Sequence, residues 1–281
     1  MDVWRQMKVA IDPFTAAAHL VVSARTAIVN RVVFGGTPMK FAAALSFLLY
    51  FSAGLAQAQD ADGILFLLTY PNLDKPHGDV VLENEHVLVQ RYVVPPDSWE
   101  GVHAHPGDQV YVHVVGGTWS GRAGGESTYD DEFSETGSVG WMPKIPLSEG
   151  HESGNTGDEP IDLIWVTLKD DAPIRPDFDH QPQVYPNAPL ETLIDNERVI
   201  VQRVQIEPGQ WEGVHSHPGN QVFVHIKGGT WGSRTAGVQS DTTSMRPDGY
   251  VGWSDAVDIN EQHESGNVGD TTIDLVWVTI K

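Results

Sequence analysis

The hydrophobic pattern of the chain is that of strands. Val87-Leu88-Val89-Gln90-Arg91-Tyr92-Val93-Val94 is dense in β-branched residues. Gln109 to Val115 alternates polar and apolar side chains and stops at Gly116-Gly117, and Ile161 to Leu168 is a third strand-like run. Short strands broken by Gly/Pro turns predict a β-sandwich or barrel. Beyond residue 58 no segment carries a convincing amphipathic-helix pattern.

The pattern then repeats at a constant offset of 112 residues. Trp99-Glu100-Gly101-Val102-His103-Ala104-His105-Pro106-Gly107 returns as Trp211-Glu212-Gly213-Val214-His215-Ser216-His217-Pro218-Gly219. The same offset takes Arg91 to Arg203, Gln109 to Gln221, His113 to His225, His151 to His263 and Trp165 to Trp277. An unchanged offset means no net insertion between these landmarks, so each copy is expected to be one complete folding unit of about 100 residues. The predicted organisation is a first module over 59–169, a linker over 170–186 rich in Pro and Asp, and a second module over 187–281.

Residues 1–58 are expected to lie outside the fold. Met39-Lys40, the uncharged apolar run Phe41 to Leu55 and the small-x-small end Ala56-Gln57-Ala58 form the three parts of a secretory signal over 39–58. The apolar run is short for a bilayer span of about 20 residues. Residues 1–38 fit poorly in front of such a signal. The expected location is periplasmic or secreted, with no membrane attachment after cleavage.

Composition narrows the chemistry. With no cysteine, disulfides, thiolate ligands and a Cys nucleophile are all excluded, and any metal must be held by His and oxygen donors. The formal net charge of -21 disfavours nucleic acid as a partner. High Gly (28), Pro (18) and Trp (9) agree with an all-β chain.

Eight of the 12 histidines form the repeated set. Residues two apart on a strand point to the same side, so His103 and His105 project together, as do His215 and His217. Pro-Gly then turns the chain, and Gln109 or Gln221 opens the returning strand facing the histidine pair. His151 and His263 arrive from far along the chain. Neutral imidazole is the commonest protein ligand for divalent transition metals. The candidate metal ligands are therefore His103, His105, Gln109 and His151 in one copy, and His215, His217, Gln221 and His263 in the other. Three imidazoles leave positions open for water or substrate.

Gly101 to Gln109, running on to Gly116, resembles the first cupin motif, and Gly140 to Asn155 resembles the second. The resemblance covers most of both modules. It implies two tandem double-stranded β-helix (cupin) barrels, a bicupin, with one divalent metal per barrel. His263 to Asp270 also resembles the ending of small single-cupin proteins. Two departures stand out: Gln109 and Gln221 replace the family's Glu ligand, and the Pro-x-Gly before the third His is missing. A neutral Gln would leave the ion its full charge and make it a stronger Lewis acid. Three-histidine cupins include iron dioxygenases, so the resemblance implies Fe(II) first, then Zn, Mn or Ni, and a small-molecule substrate. Redox-neutral metal catalysis and a non-catalytic binding role are the alternatives. Pairing into a homodimer is implied by resemblance alone.

Around the site, Glu100 and Glu212 are the nearest candidate bases. His113 and His225 share strand parity with the glutamines and are candidates for proton transfer, or else hydrogen-bonded core histidines. Arg91, Arg203, Arg122 and Arg234 are either carboxylate clamps or surface ion-pair partners.

Overall fold

The computed structural model describes residues 65–170, 181–235, 237–258 and 263–281. The signal segment and most of the expected linker lie outside these residues. The described chain is built of antiparallel strands with one short 3-10 turn, Leu147–Glu149, and no α-helical element.

In the first half, one sheet takes β1 (Asp79–Glu83), β2 (Val87–Val94), β4 (Gln109–Val115), β7 (Val139–Met142) and β9 (Ile161–Leu168) in the order β1-β2-β9-β4-β7. The facing sheet takes β3 (Ser98–Trp99), β5 (Gly117–Ala123), β6 (Glu126–Ser134) and β8 (His151–Asn155) in the order β3-β8-β5-β6. The second half repeats this. Strands β10 (Glu191–Asp195), β11 (Val199–Ile206), β12 (Gln221–Lys227), β16 (Val251–Ser254) and β18 (Ile273–Ile280) order as β10-β11-β18-β12-β16. Opposite them, β13 (Gly229–Thr235) pairs with β14 (Val238–Gln239), β15 (Ser244–Arg246) and β17 (Glu264–Asn267).

Alternation along each strand sorts side chains between two destinations. On β4, Gln109, Tyr111 and His113 face inward, toward Trp119 and Trp165. Val110, Val112 and Val114 face out, yet they are buried. Their partners are Val222, Val224 and Ile226 of β12, in an apolar cluster shared by the two five-stranded sheets. The halves are thus fused back to back across a sheet-on-sheet core, and neither one buries its own outer face. This modifies the expectation of two self-sufficient units. It also explains β9 and β18, whose side chains are almost all buried because both faces are covered.

The join follows a pseudo-two-fold, the symmetry that a duplicated chain inherits when its copies meet on the same patch. Arg198 pairs with Asp108 at 3.0 Å, and the positions equivalent by the 112 offset, His86 and Asn220, meet at 3.1 Å. Arg91 and Arg203 belong to this seam. Each forms a two-pronged ion pair with Asp162 or Asp274 and lies against a glycine of the other half, Gly249 or Gly137. They are interface residues and not substrate clamps.

Part of the segment read as linker is also structural. Gln183 and Tyr185 are buried in the second half, where Gln183 exchanges two hydrogen bonds with Gln202.

Candidate metal centre

Local sequence sets up the site before the long-range contacts complete it. Gly101 and Gly213 hold φ of +83° and +84°, a left-handed turn that favours glycine. The turn aims each Gly carbonyl back at the histidine two residues on, so that His103 Nδ1 and His215 Nδ1 each donate to it at 2.9 Å. The distant histidine comes in by backbone pairing. His103 and His151 exchange two N–H···O bonds of 2.8 and 3.0 Å, as a directly opposed antiparallel pair, and His215 and His263 do the same at 2.9 and 3.1 Å. A separation of 48 residues in sequence thereby becomes a cross-strand contact.

The result is two three-histidine groups, His103/His105/His151 and His215/His217/His263, with ligand nitrogens within 4.8 Å of one another in each. His105 Nε2 and His151 Nε2 approach to 3.3 Å, and His217 Nε2 and His263 Nε2 to 3.2 Å. Two nitrogens bound at about 2.1 Å to one ion stand about 3.0 Å apart at a right angle and about 3.4 Å at the tetrahedral angle. Both spacings fall within that range, so the groups fit a divalent transition ion.

Gln109 and Gln221, expected as fourth ligands, have another role. Gln109 Oε1 accepts a short hydrogen bond from His105 Nδ1, and its amide donates to Thr167 Oγ1 at 2.7 Å. Gln221 repeats this with His217, Thr279 at 2.8 Å and Gln183 at 2.6 Å. Each amide is committed at both ends and fully buried. It fixes the imidazole with its proton on Nδ1 and the Nε2 lone pair free for an ion. The glutamines orient a ligand rather than supplying one.

Of the two roles open to His113 and His225, the structure supports the hydrogen-bonded core histidine. Trp119 Nε1–H donates to His113 Nε2 at 3.1 Å, and Trp231 Nε1–H to His225 Nε2 at 2.9 Å. That lone pair is used, leaving neither ring a free acceptor for a proton or a metal. Burial holds both pKa values down to about 4. They are core histidines, with His113 Nδ1 satisfied by Ser138 Oγ at 3.0 Å.

The remaining candidates, Glu100 and Glu212, lie at the site itself. Each is 1% exposed, with Oε2 at 3.9 and 3.8 Å from His103 Nε2 and His215 Nε2. Oε1 of each has no hydrogen-bond partner. Burial raises both carboxyls, Glu212 to about 8, and contact with a tyrosine hydroxyl works against the rise. A buried carboxyl with an orphaned oxygen beside three aimed nitrogens suits a site meant to hold an ion and its water.

Those tyrosines, Tyr70 and Tyr185, were not found from sequence. Their rings pack on His103 and His215 with centroids 4.6 and 4.5 Å apart. They occupy equivalent places from positions that break the 112 offset, which maps Tyr70 onto Pro182 and Tyr185 back onto Leu73. The repeat was the signal, and it could not reveal them. Arg122 and Arg234 stack on Trp99 and Trp211, 3.6 and 3.4 Å from the ring centroids, and serve packing.

No protein-family model and no curated protein sequence matches the chain. Solved structures do. AerE from Microcystis aeruginosa is similar with a TM-score of 0.51 at 12% identity, over 72% of this chain and 96% of its own. A Trp-to-Phe variant of the oxalate decarboxylase from Bacillus subtilis gives 0.50 at 13% identity, over 70% of this chain and 69% of its own. A cupin 2 conserved barrel domain protein from Leptotrichia buccalis gives 0.45 at 12%, over 72% and 88%. At such identities the likeness is one of fold, and a match over 70% of this chain exceeds either half alone. The chain has the fold of two cupin barrels in tandem, with a three-histidine group suited to a metal ion in each.

Proposed function

We propose that the protein is an exported metalloenzyme whose barrels bind one divalent ion each and act on a small organic molecule. The observation that carries this reading is the convergence of three imidazole nitrogens in each half, two of them with the proton position fixed by a partner on the far side of the ring. His103, His105 and His151 would hold one ion, and His215, His217 and His263 the other. An ion in a neutral shell supplies Lewis acidity or, as Fe(II), dioxygen chemistry. We assign oxygen-dependent oxidation of the substrate at Fe(II).

The chain's own groups do the rest. Gly101 and Gln109, with Gly213 and Gln221, hold the imidazoles in register. Tyr70 and Tyr185 pack on His103 and His215 and help to fix those rings. Glu100 and Glu212 sit where they can hold a proton at Oε2 and pass it to or from bound substrate.

That buried carboxyl also favours a second reading, a redox-neutral proton transfer such as isomerisation or elimination on a metal-polarised carbonyl. Protein loaded with Fe(II) should consume dioxygen in step with substrate loss. Turnover under strict anaerobiosis with Zn or Mn would favour the second reading, and substrate binding without turnover under either condition would defeat both.

A further inference from the structure

The two halves share their histidines, but the side chains around those histidines differ. In the second half a cavity of about 520 Å³ is lined by the three histidines, Glu212 and Arg246, among aromatic residues. Arg246 closes β15, paired with Gly229, and the equivalent register on β6 pairs Gly117 with Ser134. The first half thus has a serine where the second has a guanidinium.

Arg246 is held by aromatic rings rather than by a direct ion pair. Its guanidinium lies 4.8 Å from the Phe223 ring centroid and 5.6 Å from those of Trp231 and Tyr250. Among the described residues it makes no ion pair and no hydrogen bond, and the Glu212 carboxyl of the same cavity acts on it only through space. Among the described residues every other half-buried arginine is engaged by a carboxylate: Arg91 by Asp162, Arg203 by Asp274, Arg198 by Asp108 and Arg234 by Glu264. Partial burial draws the guanidinium pKa down, though not far enough to discharge an arginine. A fork of donors left unpaired in an aromatic cavity is a recognition element for a planar anion.

The first half carries bulkier side chains at two equivalent positions. Tyr129 donates to Ser153 Oγ at 3.3 Å, two residues beyond His151, and a Cβ at Gly121 would strike its ring. The second half has Asp241 at that position. Tyr111 likewise stands where the second half has Phe223.

We infer that the second barrel is the substrate-binding half and takes a carboxylate-bearing molecule with a flat apolar body, its carboxylate held by Arg246 and its body by Phe223, Trp231 and Tyr250. This deepens the enzyme reading by naming the substrate class, and it rests on that reading only for the reaction, not for the binding. The first barrel, with Ser134 and Tyr129, does not take the same ligand.

The test is calorimetric titration of the full chain with benzoate and with its neutral isostere benzamide. Wild type, Arg246→Gln and Arg246→Lys are each compared zinc-loaded and chelator-stripped. Wild type should prefer benzoate. Arg246→Gln should weaken benzoate about 10- to 100-fold and leave benzamide unchanged, and Arg246→Lys should fall between. Unchanged thermal unfolding and zinc stoichiometry in the variants exclude misfolding as the cause. A preference kept in the stripped wild type but lost in stripped Arg246→Gln supports the proposal independently of metal. Equal binding of both probes, no benzoate binding, or a preference lost on stripping yet kept in Arg246→Gln would overturn it. Failure of zinc to bind the histidines would defeat the enzyme reading while leaving the Arg246 result standing.

Discussion

Replacing Gln109 by Met separates a metal ligand from a residue that orients one. The substitution is made in a His263→Ala background so that only the first site titrates. Met conserves the volume of the fully buried side chain but removes both polar ends. His105 Nδ1–H then loses its acceptor, and Thr167 Oγ1 loses its amide donor. An orphaned buried donor costs about 1–3 kcal/mol of stability. The ring also loses the bond that keeps the proton off Nε2, so binding must now select the productive tautomer and orientation. Loss of such an outer partner costs about 10- to 100-fold in metal affinity, equivalent to about 1.4–2.8 kcal/mol. Competition against a chromophoric chelator measures the affinity, and Co(II) absorption reports the coordination sphere. One ion should still bind, more weakly, with cobalt bands unmoved. Gln109→Glu should retain tight binding, since a carboxylate accepts the same bond. Unchanged affinity in Gln109→Met, or a shifted cobalt spectrum showing a lost ligand, would refute the assignment.

Three further outcomes follow from buried groups. Trp231→Phe removes the donor to His225 Nε2 and should cost about 1–3 kcal/mol in urea unfolding, with zinc stoichiometry intact; lost metal binding would place His225 in the site after all. In metal-free protein, His225 takes a proton near 6.5 when unfolded but only near 4 when folded. Its contribution to stability is thus complete above pH 6.5 and drains as pH falls toward 4, reaching a loss of about 1.4 kcal/mol by pH 5.5. His225→Phe should flatten the urea-midpoint slope between pH 7.5 and 5.5 by that amount, and an unchanged slope contradicts the account. Residues 65–170 expressed alone would expose Val110, Val112 and Val114, and should self-associate in light scattering; a stable monomer would show that the shared core is dispensable.

The sequence carried the fold and most of the site because a duplicated chain repeats whatever its fold requires. His103, His105 and their counterparts were legible from strand parity, and His151 and His263 from the constant offset. The glutamines were found but misread, because proximity to a histidine pair does not reveal which way an amide points. For His113 and His225 the sequence left proton transfer and a core role both open, since their Trp partners lie six residues on, across a strand turn that spacing does not resolve. Tyr70, Tyr185 and Arg246 were invisible to the repeat because each breaks it. Asymmetry between halves is where a duplicated protein can differentiate, and pattern matching passes over it.

Both readings of the function require one ion in each half. Elemental analysis of the purified full chain after dialysis should find two equivalents of divalent metal per chain, and one in either His151→Ala or His263→Ala. Less than stoichiometric metal in wild type under saturating supply, or two equivalents retained in both variants, would contradict both.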